Sequence, residues 1–478
     1  MSDLMYISKG PHRFVISKLF GKILIWLLII IITLLLISYI YGIWTIELVY
    51  SVGHNSQKYG TFIMKARLPA FLSKYEKKKS LTDLMKEFPK VNVTDVTQIA
   101  KPTCKDLIRW NKTAIVLALI YQQNMPFARI PDAQYPILTA DCAKFIKEKQ
   151  YIIEPITKEE EEFPIAFSIL IYKDIEQFER LLRIIYRPQN YYCVHVDIKA
   201  SQSVHDGARS LARCFENVFI ATKLVNVLWG SYSVLEAELI CMNDLWKYKQ
   251  WKYFINLTGL EFPLQTNLDI VKILKIFHGA NNIEGTVLRM NKDRVSYIHN
   301  MTHSTTISKG PPPVPVTLTK GSVHITASRA FVDYVLHDDR ALKFKKWVKD
   351  TGIPDETFFS SLNHSPQLEV PGAYRGIPES DPNTYPLLTR FKNWGSKPFD
   401  YPCYGLRVRR ICTFGVADLK LLSERREMFA NKFQLNFQPM TYECMEELIH
   451  NRTRDEQRGI LGFDSTLYDS FDFIHNHV

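Results

Sequence analysis

The sequence lacks the motifs by which many nucleotide-binding and metal-binding proteins are recognised. No P-loop and no GxGxxG turn follows either of its two strongest predicted strands, so no phosphate is held by a glycine-rich turn. Histidine and cysteine do not cluster at zinc-ligand spacing, and no pair of carboxylates stands out as a magnesium site. We therefore expect no metal ion.

The chain also lacks a stripe of arginine and lysine interleaved with aromatic residues. Its formal net charge is +11, but the basic residues are divided between the N-terminal arm and Lys/Glu-rich surface such as residues 158–162. Nucleic acid is therefore not an expected partner. A mildly basic surface still suits a nucleotide-sugar diphosphate.

Only one long uncharged run is present, at residues 23–46, and basic residues precede it. At about 1.5 Å per residue the run can span a hydrocarbon core. The positive-inside rule then predicts a cytosolic tail at 1–22, an uncleaved transmembrane signal-anchor at 23–46 and a luminal chain beyond it. A cleaved signal peptide is the alternative, but it would need a shorter apolar region and a small-residue cleavage site.

No cysteine precedes Cys104, and all eight lie in the predicted luminal chain. An even number favours four disulfides in an oxidising compartment, although spacing alone leaves the pairing open. N-glycosylation sequons agree with this location, and four of them are predicted to be modified: Asn92, Asn111, Asn300 and Asn451. Asn256 lies in an apolar strand, so we expect it to be buried and unmodified.

Apolar runs and helical periodicity alternate from residue 163 onward. Residues 165–172 are almost wholly apolar, as in a strand covered on both faces, and a helical pattern leads to a second apolar strand at 191–196. Further helices and the strand at 253–257 continue the alternation, which predicts an α/β domain with a mostly parallel sheet. The predicted luminal regions are a stem and N-terminal region at 47–140, the α/β domain at 141–448 and a C-terminal tail at 449–478.

Two carboxylates occupy positions where a site can form. Asp197 ends the second strand, and ligands of open α/β sheets bind at the carboxyl ends of strands, where an aspartate can meet a ribose or a base. Glu356 lies in the first turn of a predicted helix, where the helix dipole favours a negative charge. Residue chemistry alone favours a turn or capping role for Asp197 and a structural role for Glu356.

From Asp141 to about Glu447 the chain resembles the core 2 β1,6-N-acetylglucosaminyltransferases, the branching enzymes of mucin-type O-glycans. The resemblance is collinear and is carried by YRPQNYYCVHVD, WKYFINLTGLEFPLQTNLDIV, PDE at 354–356, CTFGVADL at 412–419 and FANKF at 429–433. It implies a GT-A-like fold in the lumen of the Golgi, in a single-pass type II membrane protein. It also implies an inverting transfer that needs no metal and no cofactor beyond the UDP-sugar donor.

The resemblance assigns the catalytic base to Glu356, which would take the proton from the attacking 6-hydroxyl. It assigns two further groups of residues. The UDP-binding positions are Leu170, Asp197, Trp229, Arg409 and Lys432, the last two replacing a metal as cations opposite the departing UDP. The acceptor-binding positions are Glu284, Lys292, Arg294 and Trp394. The implied disulfides are Cys104–Cys444, Cys142–Cys214, Cys193–Cys241 and Cys403–Cys412.

The implied reaction moves GlcNAc from UDP to the 6-position of GalNAc in Galβ1,3GalNAc O-glycans of glycoproteins, which forms a core 2 branch. One alternative is the same fold using UDP-glucose or UDP-xylose on a related acceptor. Another is a non-catalytic, membrane-tethered glycan-binding protein, against which the presence of Glu356, Arg409 and Lys432 argues. A glycosidase would need a second positioned carboxylate. A homodimer is compatible with the sequence.

Overall fold

The computed structural model of the chain describes residues 100–125, 127–301, 303–395 and 401–478, together with the backbone of four N-terminal strands. These strands form two antiparallel hairpins: β1 (Leu4–Ile7) with β2 (Phe14–Ser17), and β3 (Thr45–Ser51) with β4 (Thr61–Arg67). The rest of the predicted tail and signal-anchor, and Asn92, lie outside the described residues. Among the helices that the structure describes, none has the length and apolar character needed to cross a membrane.

Residues 88–478 group into one unit, apart from residues 1–87. Its strands are β5 Ile165–Ile171, β6 Tyr191–Val196, β7 Val218–Ile220, β8 Tyr253–Thr258, β9 Glu261–Pro263, β10 Asn282–Ile283, β11 Tyr297–Asn300, β12 His303–Ser308, β13 Ile325–Ser328, β14 Arg390–Lys392, β15 Leu406–Val408, β16 Ile411–Thr413 and β17 Phe429–Asn431. Its helices are α1 Cys104–Ile108, α2 Lys112–Asn124, α3 Tyr135–Leu138, α4 Cys142–Lys149, α5 Lys158–Glu161, α6 Ile175–Ile185, α7 Gln202–Ala212, α8 Tyr232–Trp246, α9 Asn267–Ile276, α10 Asp293–Ser296, α11 Arg329–His337, α12 Asp339–Trp347, α13 Phe358–Asn363, α14 Leu419–Ser423, α15 Pro439–Gln457, α16 Thr466–Asp469 and α17 Asp472–His475.

A six-stranded sheet in the order β10-β13-β8-β5-β6-β7 forms the centre of this unit. Strands β8, β5, β6 and β7 are parallel, which confirms the prediction for this part of the sheet. Strands β13 and β10 extend it in antiparallel pairing, so the whole sheet is mixed. The fold is therefore α/β, with the carboxyl ends of the parallel strands at one edge.

Strand β5 is apolar because both of its faces are covered. Alternate side chains from Ile165 to Ile171 join one core cluster with residues of α6 and α7, whereas Ala166 joins a second cluster with residues of α8. Full burial of an apolar side chain of this size contributes roughly 1.5–3 kcal/mol. Packing on both faces therefore holds the carboxyl end of β5 in a defined position.

A second, three-stranded sheet in the order β14-β17-β9 lies in the same unit. Strand β17 pairs in parallel with β14 and in antiparallel with β9. Lys392 ends β14, and Lys432 directly follows β17. This small sheet therefore carries two lysines toward the same region.

The four disulfides pair the cysteines as the resemblance implies: Cys104–Cys444, Cys142–Cys214, Cys193–Cys241 and Cys403–Cys412. The first closes a sequence separation of 340 residues and ties α1 to α15. Helix α15 runs through position 449, where the C-terminal tail was predicted to begin. Residues after this helix pack on the unit, and their side chains Tyr468, Phe471, Phe473 and Ile474 are buried.

Candidate active site

Glu356 ends a short 3-10 turn, Pro354–Glu356, just ahead of helix α13. Its carboxylate Oε2 accepts a hydrogen bond from Arg294 Nη1 at 2.6 Å and lies 3.5 Å from Lys320 Nζ. The side chain is 27% exposed. The carboxylate thus faces two cations at a solvent-accessible position, which is more than a first-turn helix residue requires.

The turn that carries Glu356 is fastened on both sides by backbone hydrogen bonds. The Gly352 N–H donates to the Arg294 carbonyl at 2.9 Å, and the Ile353 N–H donates to the Gly230 carbonyl at 3.1 Å. Gly230 directly follows Trp229, which was predicted to bind the nucleotide. The predicted base and the predicted donor loop are therefore neighbours.

Lys320 reaches Glu356 because its own backbone is fixed. Its N–H and carbonyl exchange hydrogen bonds with Thr286 at 2.9 and 2.8 Å, and the Gly321 N–H donates to the Glu356 carbonyl at 2.6 Å. A Cβ at position 321 would collide with the Glu284 carbonyl oxygen, so only glycine permits this close approach. Neither contact is visible in the local sequence pattern, and Lys320 was not predicted.

Asp355 is buried next to the base, and its Oδ1 atom has no hydrogen-bond partner. Burial, reinforced by the negative charge of Glu356, raises the pKa of Asp355 to about 7. A buried carboxyl group without a partner favours the neutral form. The site therefore contains a residue whose ionisation opposes folding.

We expect Asp355→Asn to stabilise the protein above neutral pH. Because the folded-state pKa is raised above the unfolded value of 3.8, wild-type stability falls as pH rises from about 4 to 7 and then stays low. The raised pKa corresponds to a loss on the order of 4 kcal/mol, which asparagine avoids. Unfolding temperatures of both proteins at about pH 5 and pH 8.5 measure the difference.

The gain from Asp355→Asn should be larger at the higher pH. Asp206→Asn is the matched control, because Asp206 is partly exposed on α7 and accepts hydrogen bonds from the side chains of Gln202 and Arg209. An equal gain at both pH values would mean that the pKa of Asp355 is not raised in the folded state.

The predicted nucleotide-binding residues lie at the carboxyl edge of the parallel strands. Leu170 is next to the last residue of β5, and Asp197 follows β6, with its N–H donating to the Ile171 carbonyl at 2.9 Å. The Asp197 Oδ1 atom accepts from the Lys199 N–H at 2.9 Å, so the carboxylate does form a turn. Trp229 is 69% exposed, which leaves its ring open to stacking by a base.

Arg409 lies at the tip of the hairpin formed by β15 and β16. It and Arg410 have positive φ angles of 50° and 73°, as required by a two-residue hairpin turn but unfavourable for arginine. The hairpin is joined to the segment after β17, because the Phe414 N–H donates to the Lys432 carbonyl at 3.0 Å. Arg409 and Lys432, which are distant in sequence, thus belong to one part of the structure.

Lys432 interacts electrostatically with two other cations. Partial burial, together with the charges of Arg409 and Lys173, lowers the pKa of Lys432. Lys173 follows β5, and the adjoining helix α6 is tied to the Lys432 segment because Gln177 Nε2 donates to the Phe433 carbonyl at 3.1 Å. Sequence reasoning missed Lys173, whose only signal was its position just after a buried parallel strand.

The four residues that were predicted to bind the acceptor do not all lie in one place in the structure. Glu284 and Trp394 line a cavity of about 500 Å³, and Lys392 lines it as well. Arg294 instead pairs with Glu356, and Lys292 lies exposed at the start of α10, away from the cavity lining. Lys392 was not predicted; burial lowers its pKa, and the charges of Glu284 and Glu356 oppose this change.

A buried charged network connects the two lysine-bearing strands of the small sheet. The Glu261 carboxylate accepts from Asn431 Nδ2 at 3.0 Å and from the Thr258 N–H at 2.7 Å, and lies 2.5 Å from His324 Nε2 and 3.6 Å from Arg390 Nη2. Burial alone would raise the pKa of Glu261, but Arg390 and His324 lower it to about 2. This network fixes Asn431, which precedes Lys432, and Arg390, which lies two residues before Lys392.

The arrangement defines what chemistry is available. One accessible carboxylate, held by two cations, can accept a proton from a hydroxyl group, and a separate group of three cations can stabilise an anion. Within the described ranges, no group of three or more histidine, cysteine, aspartate or glutamate side chains is arranged to hold a metal ion. The mixed α/β sheet, with these residues beyond the carboxyl ends of its strands, fits a GT-A-like glycosyltransferase.

Comparison with known proteins agrees with this class. The family model described as Core-2/I-Branching enzyme matches residues 165–398. The chain is 38% identical over 335 residues to the human beta-1,3-galactosyl-O-glycosyl-glycoprotein beta-1,6-N-acetylglucosaminyltransferase, covering 67% of this chain and 78% of that protein. Identity is 39% over 337 residues to the Bos taurus protein of the same name, at 68% and 78% coverage, and 36% over 361 residues to the human protein numbered 3, at 72% and 82%. The chain belongs to the Core-2/I-branching enzyme family.

Proposed function

We propose that this protein transfers GlcNAc from UDP-GlcNAc to the 6-hydroxyl of GalNAc in Galβ1,3GalNAc O-glycans of glycoproteins, which forms a core 2 branch. The observation that carries the proposal is Glu356, an accessible carboxylate 2.6 Å from Arg294, beside the loop of Trp229. The relatives' names give the donor sugar, the β1,6 linkage and the galactosyl-substituted acceptor.

Glu356 acts as the general base in this mechanism. As the acceptor hydroxyl attacks the anomeric carbon, the carboxylate takes its proton, and the bond between that carbon and the UDP oxygen breaks in the same displacement. The configuration at the anomeric carbon inverts because there is one displacement and no covalent intermediate. Arg294 and Lys320 hold the carboxylate in place before the hydroxyl arrives.

Arg409, Lys432 and Lys173 act on the leaving group. Cleavage adds negative charge to the diphosphate of UDP, and fixed cations aimed at that charge lower the barrier most when they need not move. The electrostatic interaction of Lys432 with both other cations supports their grouping in one region. Leu170, Asp197 and Trp229 bind the nucleoside on the neighbouring strand ends.

The alternative functions have less support. UDP-glucose or UDP-xylose as donor is not favoured, because the relatives are named N-acetylglucosaminyltransferases. A non-catalytic glycan-binding protein would not require Glu356 to be accessible beside two cations. We propose that no metal takes part in the transfer and that the three cations perform its charge-stabilising role.

Residence as a single-pass type II protein of the Golgi membrane is part of the proposal. Four disulfides favour an oxidising compartment, and Asn111 and Asn300 are exposed. Asn451 is partly exposed within α15, whereas Asn256 is buried, with its amide nitrogen donating to the Val323 carbonyl at 2.7 Å. Homodimer formation remains a prediction.

Transfer should proceed undiminished in EDTA. The test uses the full chain in detergent, Galβ1,3GalNAc acceptor, and UDP-GlcNAc, UDP-glucose or UDP-xylose, with product formation measured with and without the chelator. We expect UDP-GlcNAc alone to react, at equal rates in both conditions, because protein cations and not a dissociable ion stabilise the leaving group. Loss of transfer in EDTA with recovery on adding Mn²⁺ would contradict the cation mechanism, and reaction of another donor would correct the sugar.

A further inference from the structure

The C-terminal segment, residues 458–478, is fastened to the catalytic unit at several points. Helix α15 ends at Gln457, and Gly459, with a φ of 67°, turns the chain back. At the far end, the Val478 N–H donates to the Ala373 carbonyl at 2.9 Å. These contacts show a segment that is folded onto the unit along its length.

Side chains hold the middle of the C-terminal segment. Tyr374 Oη donates to Asp472 Oδ2 at 2.6 Å, and Tyr468 Oη donates to the Arg426 carbonyl at 2.9 Å. The buried Phe473 ring lies 5.1 Å from the Tyr385 ring, centroid to centroid. Tyr385 also lines the acceptor-side cavity, so the segment packs directly on the residues that shape it.

The segment itself supplies part of the cavity wall. Leu467, Ser470 and Phe471 line the same space of about 500 Å³ that Glu284 and Trp394 line. This volume falls in the range of roughly 300–1,000 Å³ typical of sites for ligands much larger than one sugar ring. A cavity that contained only the reacting GalNAc would not extend to the C-terminal segment.

We propose that the C-terminal segment is part of the acceptor site, and that Leu467 and Ser470 contact the saccharide unit attached to the reacting GalNAc. This inference rests on the proposed function and on the predicted acceptor positions Glu284 and Trp394, which line this cavity. It makes the segment a determinant of acceptor specificity, separate from the base and the diphosphate cations.

The chemistry of the lining suits a saccharide. Apolar surface from Leu467 and the exposed ring of Trp394 can cover the C–H face of a pyranose ring, while Ser470 and Glu284 can bond its hydroxyl groups. The wall next to the segment is also fixed, because Arg425 donates to Glu427 and to the Tyr401 hydroxyl, the latter at 2.7 Å. A folded wall suits the free end of a glycan better than a peptide, which must continue out of the site.

The test narrows the cavity from the segment side. Ser470 is exposed and Ser470→Trp places a bulky ring at the wall, whereas Thr466→Trp, on the same segment but outside the cavity lining, is the matched control. Transfer by the full chain is measured with Galβ1,3GalNAcα-O-methyl and with GalNAcα-O-methyl. We expect Ser470→Trp to raise KM for the disaccharide by about tenfold or more, with KM for the monosaccharide nearly unchanged.

Leu467→Ala provides a second variant that removes a contact without adding bulk. We expect it to raise KM for the disaccharide severalfold with unchanged UDP affinity, and to lower the unfolding temperature slightly because Leu467 is partly buried against the core. The inference is overturned if both variants leave the disaccharide KM unchanged, or if they raise the KM of both acceptors equally. Such results would mean that the segment is a structural support only.

Binding is measured separately from transfer, so that failure of the proposed function can be distinguished from failure of this inference. Saturation-transfer NMR with the same two methyl glycosides needs no donor and no reaction. Disaccharide binding that is lost in Ser470→Trp but kept in Thr466→Trp supports the inference even if the wild-type chain transfers no sugar. Disaccharide binding that both variants retain overturns it, whatever the enzyme catalyses.

Discussion

Glu356→Gln is expected to abolish transfer while leaving the affinity for UDP nearly unchanged. Glutamine keeps the shape of the side chain and an oxygen that can accept from Arg294, but it cannot take a proton from the acceptor hydroxyl. Removal of a general base typically lowers kcat by about 10²–10⁴-fold. The measurements are kcat with saturating UDP-GlcNAc and disaccharide, and UDP affinity by calorimetry.

The control for Glu356→Gln is Glu236→Gln, because Glu236 is partly exposed and pairs with Lys223, not with Arg294 or Lys320. It should leave both quantities unchanged. A large loss of UDP affinity in Glu356→Gln would assign Glu356 to the nucleotide rather than to the acceptor. Near-normal kcat would remove it from the chemical step and return it to the structural role that its position in a helical turn first indicated.

Removing either of the two cations implied by the resemblance is expected to weaken UDP binding and slow turnover together. Arg409→Ala and Lys432→Ala should each lower kcat/KM by about 10²–10³-fold, the range found when one group that stabilises developing charge is removed. Lys173→Ala should act in the same direction, because the charge of Lys173 also affects Lys432. Both effects are expected because the diphosphate is charged before cleavage and gains charge during it.

Inhibition by UDP, UMP and uridine shows where each cation acts. Removing a cation that binds the diphosphate should weaken inhibition by UDP most and inhibition by uridine least. Lys105→Ala, on the exposed surface of α1, is the charge-matched control. Full activity in both Arg409→Ala and Lys432→Ala would rule out the cation mechanism. In variants that combine these substitutions, the fold loss of kcat/KM should be smaller than the product of the single losses, because the three groups act on one charge.

The parallel part of the fold could be predicted because its strands are buried on both faces and therefore have continuous apolar sequences. Strands β5, β6 and β8 follow the predicted apolar runs closely. The antiparallel strands β10 and β13 were not predicted, since they are short and their pairing depends on residues far apart in the chain. Local pattern thus predicted the parallel strands of the sheet and not its antiparallel ones.

The site could be predicted less well than the sheet from local sequence patterns. Glu356 resembles an ordinary first-turn carboxylate until Arg294 and Lys320, distant in sequence, are placed beside it. The same holds for Lys173 and Lys392, whose neighbours come from other elements. The resemblance supplied the positions of Arg409 and Lys432, whereas it assigned Arg294 to the acceptor although the structure pairs it with the proposed base.

The disulfide between Cys104 and Cys444 has a consequence for biosynthesis. Chains are made from the N-terminus at about 5–20 residues per second, so Cys104 waits on the order of tens of seconds for a partner 340 residues later. Cys142–Cys214 and Cys193–Cys241 can form during that interval. Lys432 lies 12 residues before Cys444, so the last of the three proposed cations is made only shortly before the cysteine that closes this disulfide. A chain truncated before Lys432 would lack both that cation and this disulfide.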